Sequence, residues 1–80
     1  VILLLLAPVF SMGQERLLNQ ADKKYEEYSF KPAQDIYQHV LDKGYASADL
    51  LERLGDTYYF NADYSQAAEV YTRLISEYPQ

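Results

Sequence analysis

His39 is the only histidine of the chain, and Asp35 stands four residues before it, close enough to share a helix face. An imidazole one turn from a carboxylate could begin a metal site or a proton relay. A metal site needs further ligands, and a nucleophilic triad needs a nucleophile as well as an oriented base. The pair supplies neither. The chain has no cysteine, which excludes thiolate metal sites and disulfides. Its carboxylates sit at helix ends and on polar faces, where a solvated role is the default, and they form no identifiable acid–base pair. No Gly-rich phosphate loop is present. The expectation is a chain that is not an enzyme and carries no cofactor and no metal.

The composition narrows the alternatives. Eighty residues allow one small domain with a limited core. Twelve acidic and seven basic residues leave a net charge of -5, which argues against nucleic acid as a partner, because phosphate needs a basic surface. Nine tyrosines with no tryptophan supply large apolar bodies with polar tips, suited to cores and to interfaces.

Residues 1–13, VILLLLAPVFSMG, carry no charge. The run is shorter than the ~20 residues a bilayer-spanning helix needs, but it matches the apolar part of a secretory signal peptide. Ser11 and Gly13 are small residues at the third and first positions before a cut ahead of Gln14. The basic segment and Met that open such signals are missing, so the expectation is a partial signal peptide and a mature chain exported to the periplasm or the outer membrane.

Sliding the chain against itself by one fixed offset, the step from Leu17 to Leu51, also places Asp22 on Asp56, Tyr25 on Tyr59, Ala33 on Ala67 and Tyr37 on Tyr71. Ala21 falls on Gly55, Phe30 on Tyr64, Ile36 on Val70, Val40 on Leu74 and Leu41 on Ile75. Each unit reads as two helices. The first unit predicts helices from about Glu15 to Tyr28 and from Pro32 to Lys43, with Gly44 suited to the left-handed position after a helix and Ser47 to the next cap. In the second, Leu51, Leu54, Gly55, Tyr58 and Tyr59 form one stripe. Asn61 suits the left-handed helix end, Asp63 with Gln66 an N-cap, and Pro79 the final stop. The last helix places Ala67, Val70, Tyr71, Leu74 and Ile75 on one face and leaves Val70, Leu74 and Ile75 partly uncovered.

These residues resemble the tetratricopeptide repeat (TPR). The unit from Ala48 carries Leu51, Leu54, Gly55, Tyr58, Ala67, Tyr71, Leu74 and Pro79 at the family's pattern positions. The unit from Gln14 carries Leu17, Ala21, Ala33, Tyr37 and Val40, and departs from the pattern at Gln20, Lys24 and Tyr45. The resemblance implies an all-α fold: two TPR helix-turn-helix hairpins forming a short α-solenoid, at 14–47 and 48–80, behind a signal segment at 1–13. A narrower resemblance rests on ADKKYEEYSF, DKGYASADL and LGDTYYFNADYSQAAEVYTRL. These stretches look like the N-terminus of exported Bacteroidetes proteins in which a TPR segment precedes a WD-type β-propeller and an OmpA-like peptidoglycan-binding domain. It implies an N-terminal piece of a cell-envelope scaffold linked to type IX secretion or gliding, with peptidoglycan reached only through a domain absent here.

The TPR resemblance also implies that the first helix of each unit lines a concave groove. Those positions are Glu15, Leu18, Asp22, Tyr25 and Glu26, then Asp49, Glu52, Asp56, Tyr59 and Phe60. Asp22, Tyr25, Glu52, Asp56, Tyr59 and Phe60 are the candidates for protein binding. TPR groups that hold a peptide's C-terminal carboxylate use Lys, Arg and Asn here. An acidic, aromatic groove fits a basic or neutral protein segment instead. Ala33, Ala67, Gly55, Tyr37 and Tyr71 are expected to be structural. The function expected is a protein–protein interaction module, docking a partner or a downstream domain of its own chain. A free-standing peptide-binding adaptor or chaperone, or a recruiting segment of a larger enzyme, remain open.

Overall fold

A computed structural model describes residues 2–79, with side chains from Gly13 onward. Those residues form four helices and no strand: α1 (Ile2–Glu26), α2 (Phe30–Asp42), α3 (Ala48–Phe60) and α4 (Tyr64–Glu77). Each packs against the next in sequence. Among the described residues no helix is long and apolar enough to cross a membrane. The expected signal segment, apart from Gly13, lies outside the residues whose side chains are described.

The helix boundaries follow local chemistry, with three corrections to the sequence reading. The first helix does not begin near Glu15 but runs from Ile2. Gln14 to Leu17 offers no Ser, Thr, Asp or Asn to cap a new start. That helix ends at Glu26 rather than Tyr28, because Tyr28 turns left-handed at φ 63°. The second correction moves the left-handed residue of the later turn from Asn61 to Ala62, at φ 64°. Asn61 keeps a right-handed φ of -87°, and its side-chain amide donates to Gln34 Oε1 at 3.0 Å. The two turns close identically. Ser29 N–H bonds Lys24 O at 2.9 Å and Tyr28 N–H bonds Tyr25 O at 3.0 Å. In the second turn Asp63 N–H bonds Tyr58 O at 2.8 Å and Ala62 N–H bonds Tyr59 O at 2.9 Å. Each pair satisfies carbonyls that a helix end leaves open, and the two turns are separated by the same offset as Leu17 and Leu51.

The third correction is that α2 starts at Phe30, not Pro32. Pro32 then occupies the third helical position, whose N–H has no intrahelical partner in any case. The remaining signals act as expected. Gly44 takes φ 102° after α2. Ser47 Oγ accepts from Leu50 N–H at 3.1 Å at the start of α3, and Asp63 Oδ1 accepts from Gln66 N–H at 3.4 Å at the start of α4.

The core gathers the small and large residues of the two sequence units into one cluster. Ala21, Ala33, Tyr37, Val40, Leu50, Leu54, Tyr58 and Ala67 are buried in it, and Leu51 is fully buried as well. Alanines at 21, 33 and 67 let helices approach, and the tyrosines fill the space beside them. Thr57 is buried without a stranded hydroxyl, because it donates to Leu54 O at 2.7 Å within its own helix. The cluster stops short of one end of the molecule. Ala67 is the only buried residue of α4, Leu74 is half-buried, and Ile75 is 70% exposed.

Candidate protein-binding face

Two tyrosine–aspartate pairs tie the helices together. Tyr37 on α2 donates its hydroxyl to Asp22 on α1, and Tyr71 on α4 donates to Asp56 on α3. Both pairs span 15 residues, and the second repeats the first at the offset of the sequence echo. A third tyrosine joins the two units. Tyr25 on α1 donates to the second oxygen of Asp56 at 2.9 Å. Arg53 on α3 reaches back across the same junction. Its Nη1 lies 3.2 Å from Asp22 Oδ1, and its guanidinium sits over the Tyr25 ring at 5.0 Å. The Nη1 atom is buried but not aligned for a hydrogen bond, so this contact is an ion pair.

Burial sets the acidity of these hydroxyls. It pushes Tyr25 up to about 12, with the bond to the Asp56 carboxylate adding to the effect. Burial raises Tyr37 and Tyr71 too, and the carboxylates that accept their protons, Asp22 and Asp56, raise them further. All three are therefore neutral donors at any physiological pH, locked to acceptors.

Of the six residues predicted to bind a partner, three are engaged inside the fold. Asp22, Tyr25 and Asp56 belong to this network. The other three face outward: Glu52 is exposed, and Tyr59 and Phe60 are 53% and 52% exposed. The structure adds to them. Phe60 stacks on Phe30 with ring centres 4.5 Å apart, and Phe30 meets Tyr28 at 6.0 Å and Tyr25 edge-on at 5.6 Å. On the other side Tyr59 meets Phe60 at 5.9 Å and Tyr64 at 5.3 Å, both edge-on. The rings form an unbroken row over the two left-handed turns. Tyr28, Tyr59, Phe60 and Tyr64 are each more than half exposed. Such a run of large aromatics is unusual on a surface that needs only to be wet. Exposed carboxylates adjoin it in the chain: Glu26 and Glu27 before Tyr28, and Asp63 before Tyr64.

Sequence reasoning missed Tyr28, Tyr64 and Arg53. Phe30 and Tyr64 show themselves as an echoed pair, but the echo alone does not say that their rings bridge turns. Arg53 carries a weaker signal: a basic residue three positions before Asp56, between Leu51 and Leu54 on an otherwise apolar stripe. His39 is exposed, and among the described residues no three His, Cys, Asp or Glu side chains stand together so as to hold a metal ion. Compared with known protein families, with curated proteins and with solved structures, the chain matches none.

Proposed function

We propose that the chain is a pair of TPR-type helical hairpins acting as a non-enzymatic protein-binding module, and that its ligand is a basic, partly apolar protein segment. One observation carries this reading: the continuous row of Tyr28, Phe30, Phe60, Tyr59 and Tyr64 beside carboxylates, exposed at all but Phe30. Rigid aromatics with few rotatable bonds concentrate binding energy. Lysine or arginine of a ligand gains both from the carboxylates and from the ring faces. The tyrosine–aspartate network supports the reading indirectly, since it fixes the helices that present the row and spares the ligand the cost of ordering them.

A fluorescent peptide alternating lysine and leucine is a direct probe. Tyr59→Ala with Phe60→Ala should weaken its capture by about tenfold or more, and Glu27→Lys, beside Tyr28, should weaken it severalfold. All three side chains are exposed, so helicity should be unchanged. Equal capture by the variants, or equal capture of a glutamate–leucine peptide by the parent, would sink the proposal.

The uncharged run at 1–13 supports export of this module, and the resemblance of ADKKYEEYSF, DKGYASADL and LGDTYYFNADYSQAAEVYTRL supports a cell-envelope scaffold of the OmpA-like kind. N-terminal sequencing of the protein recovered from an exporting cell should then begin at Gln14. A mature N-terminus that still includes Leu3–Leu6 contradicts it.

A further inference from the structure

The internal repeat shows which kind of helix fits one end face of the described residues. On the first helix pair, Asp22, Tyr25, Val40 and Leu41 form a seat that α3 fills. Leu50 joins the core cluster that Val40 and Leu41 line, Arg53 pairs with Asp22 and covers the Tyr25 ring, and Asp56 accepts the Tyr25 hydroxyl. Phe60 stacks on Phe30 at the end of the same helix. On the second pair the same seat recurs one repeat later as Asp56, Tyr59, Leu74 and Ile75, with Tyr64 in place of Phe30. Among the described residues nothing fills it. Val40 is fully buried whereas Leu74 is only half-buried, and Ile75 is 70% exposed. A surface depression of about 530 Å³ opens there, lined by Glu52, Leu74, Ile75, Tyr78 and Pro79 among others.

We infer that this end face docks a helix of a partner protein built like α3: a leucine, an arginine three residues later, an aspartate three after that, and an aromatic four further on. The leucine enters the depression beside Leu74 and Ile75. The arginine pairs with Asp56, which has no basic partner among the described residues, and covers the Tyr59 ring. The aspartate accepts the Tyr59 hydroxyl, and the aromatic meets Tyr64. Glu52 and Asp56 favour the arginine electrostatically.

A second copy of this chain carries the specified sequence only in its α3, which is already packed between its own α2 and α4. Its α1 would present Arg16 where the leucine is needed, Asn19 for the arginine and Glu26 for the aromatic.

The inference rests on the reading of the chain as an interaction module, but it uses the end face, not the aromatic row alone. The probe is a synthetic peptide of the α3 sequence, ADLLERLGDTYYF, stapled through the positions of Ala48 and Glu52, which are exposed in α3. Binding to the full chain is followed by fluorescence anisotropy. The stapled helix should bind saturably. Replacing its arginine by glutamate should weaken binding by about tenfold or more, and Ile75→Glu in the chain should do the same. Tyr59→Phe should weaken it severalfold. Capture of the lysine–leucine peptide should survive Ile75→Glu, so the two readings fail separately. The inference is overturned if the stapled helix does not bind, or if it binds regardless of the arginine reversal or of Ile75→Glu. It is equally overturned if sedimentation shows the chain alone forming dimers that Ile75→Glu abolishes.

Discussion

Asp56→Ala should remove about 2–4 kcal/mol of folding stability. The carboxylate accepts Tyr71 from α4 on one oxygen and Tyr25 from α1 on the other, the latter at 2.9 Å. It thus ties three helices through one side chain. Each bond to a charged acceptor contributes roughly 1.5–3 kcal/mol. Water reaches part of the vacated site, and alanine gains about 0.6 kcal/mol of helix propensity over aspartate, so the net falls below the sum of the two bonds. A chain of this size holds on the order of 4–12 kcal/mol in total, so the midpoint of urea unfolding should move well outside error. In a Tyr25→Phe, Tyr71→Phe background the same substitution should cost less than about 1 kcal/mol. If it costs as much there as in the parent, the bonds are not its source.

The same substitution has a signature at high pH. The Tyr25 hydroxyl, ordinarily near 10, is pushed up to about 12 by burial and by donation to Asp56, and Tyr71 moves in the same direction for the same reasons. The folded chain therefore holds these protons more tightly than the unfolded chain. Their contribution is complete below pH ~10 and is lost as pH climbs from there through the folded values. Parent and Asp56→Ala should differ most near neutrality, and the gap should narrow steadily above pH ~10. Groups common to both chains cancel in the difference. A gap that stays constant to pH ~12 would contradict the assignment.

How much of this was legible beforehand depended on the range of each interaction. Ser47, Asp63 and Gly44 act on backbone within three residues of themselves, and their roles follow from residue type. Ala21, Ala33, Ala67 and Tyr37 repeat at a fixed interval, and a repeat marks packing positions because each unit meets the same neighbours. Asp22, Tyr25 and Asp56 are different. Their partners lie 15 and 31 residues away, on other helices, and an acidic or aromatic residue on a first helix reads equally well as ligand-facing. Only the packing shows that these carboxylates are already occupied by tyrosines. The turns illustrate the same limit on a smaller scale. Asn61 is the better left-handed residue by type, yet Ala62 takes that conformation while the Asn61 side chain bonds Gln34 on α2.

Gly55→Leu should destabilise the chain by about 3 kcal/mol or more, and here the sign of a smaller change is the sharper test. A Cβ added at Gly55 would stand 2.5 Å from Tyr71 Cε1 and 2.7 Å from Cδ1, closer than carbon atoms can approach. The Tyr71 ring cannot simply swing aside, because its hydroxyl is held by Asp56, the residue next to Gly55. Relief requires α3 and α4 to separate or the bond to Asp56 to break. Gly55→Ala sets this clash against a gain of about 1 kcal/mol from replacing glycine inside a helix, and overpacking of about 1–3 kcal/mol should win. Removing the ring reverses the balance. In a Tyr71→Leu background the side chain at 71 is shorter and flexible, so Gly55→Ala should become stabilising by about 1 kcal/mol. Urea unfolding of the four chains in that cycle measures the coupling directly. The expectation fails if Gly55→Ala has the same sign with and without the tyrosine, because the glycine would then owe its place to something other than the approach of α4. The equivalent position in the first unit, Ala21, is fully buried yet carries a Cβ. The demand for glycine is therefore specific to the second pair, where Tyr71 comes close enough to exclude even a methyl group.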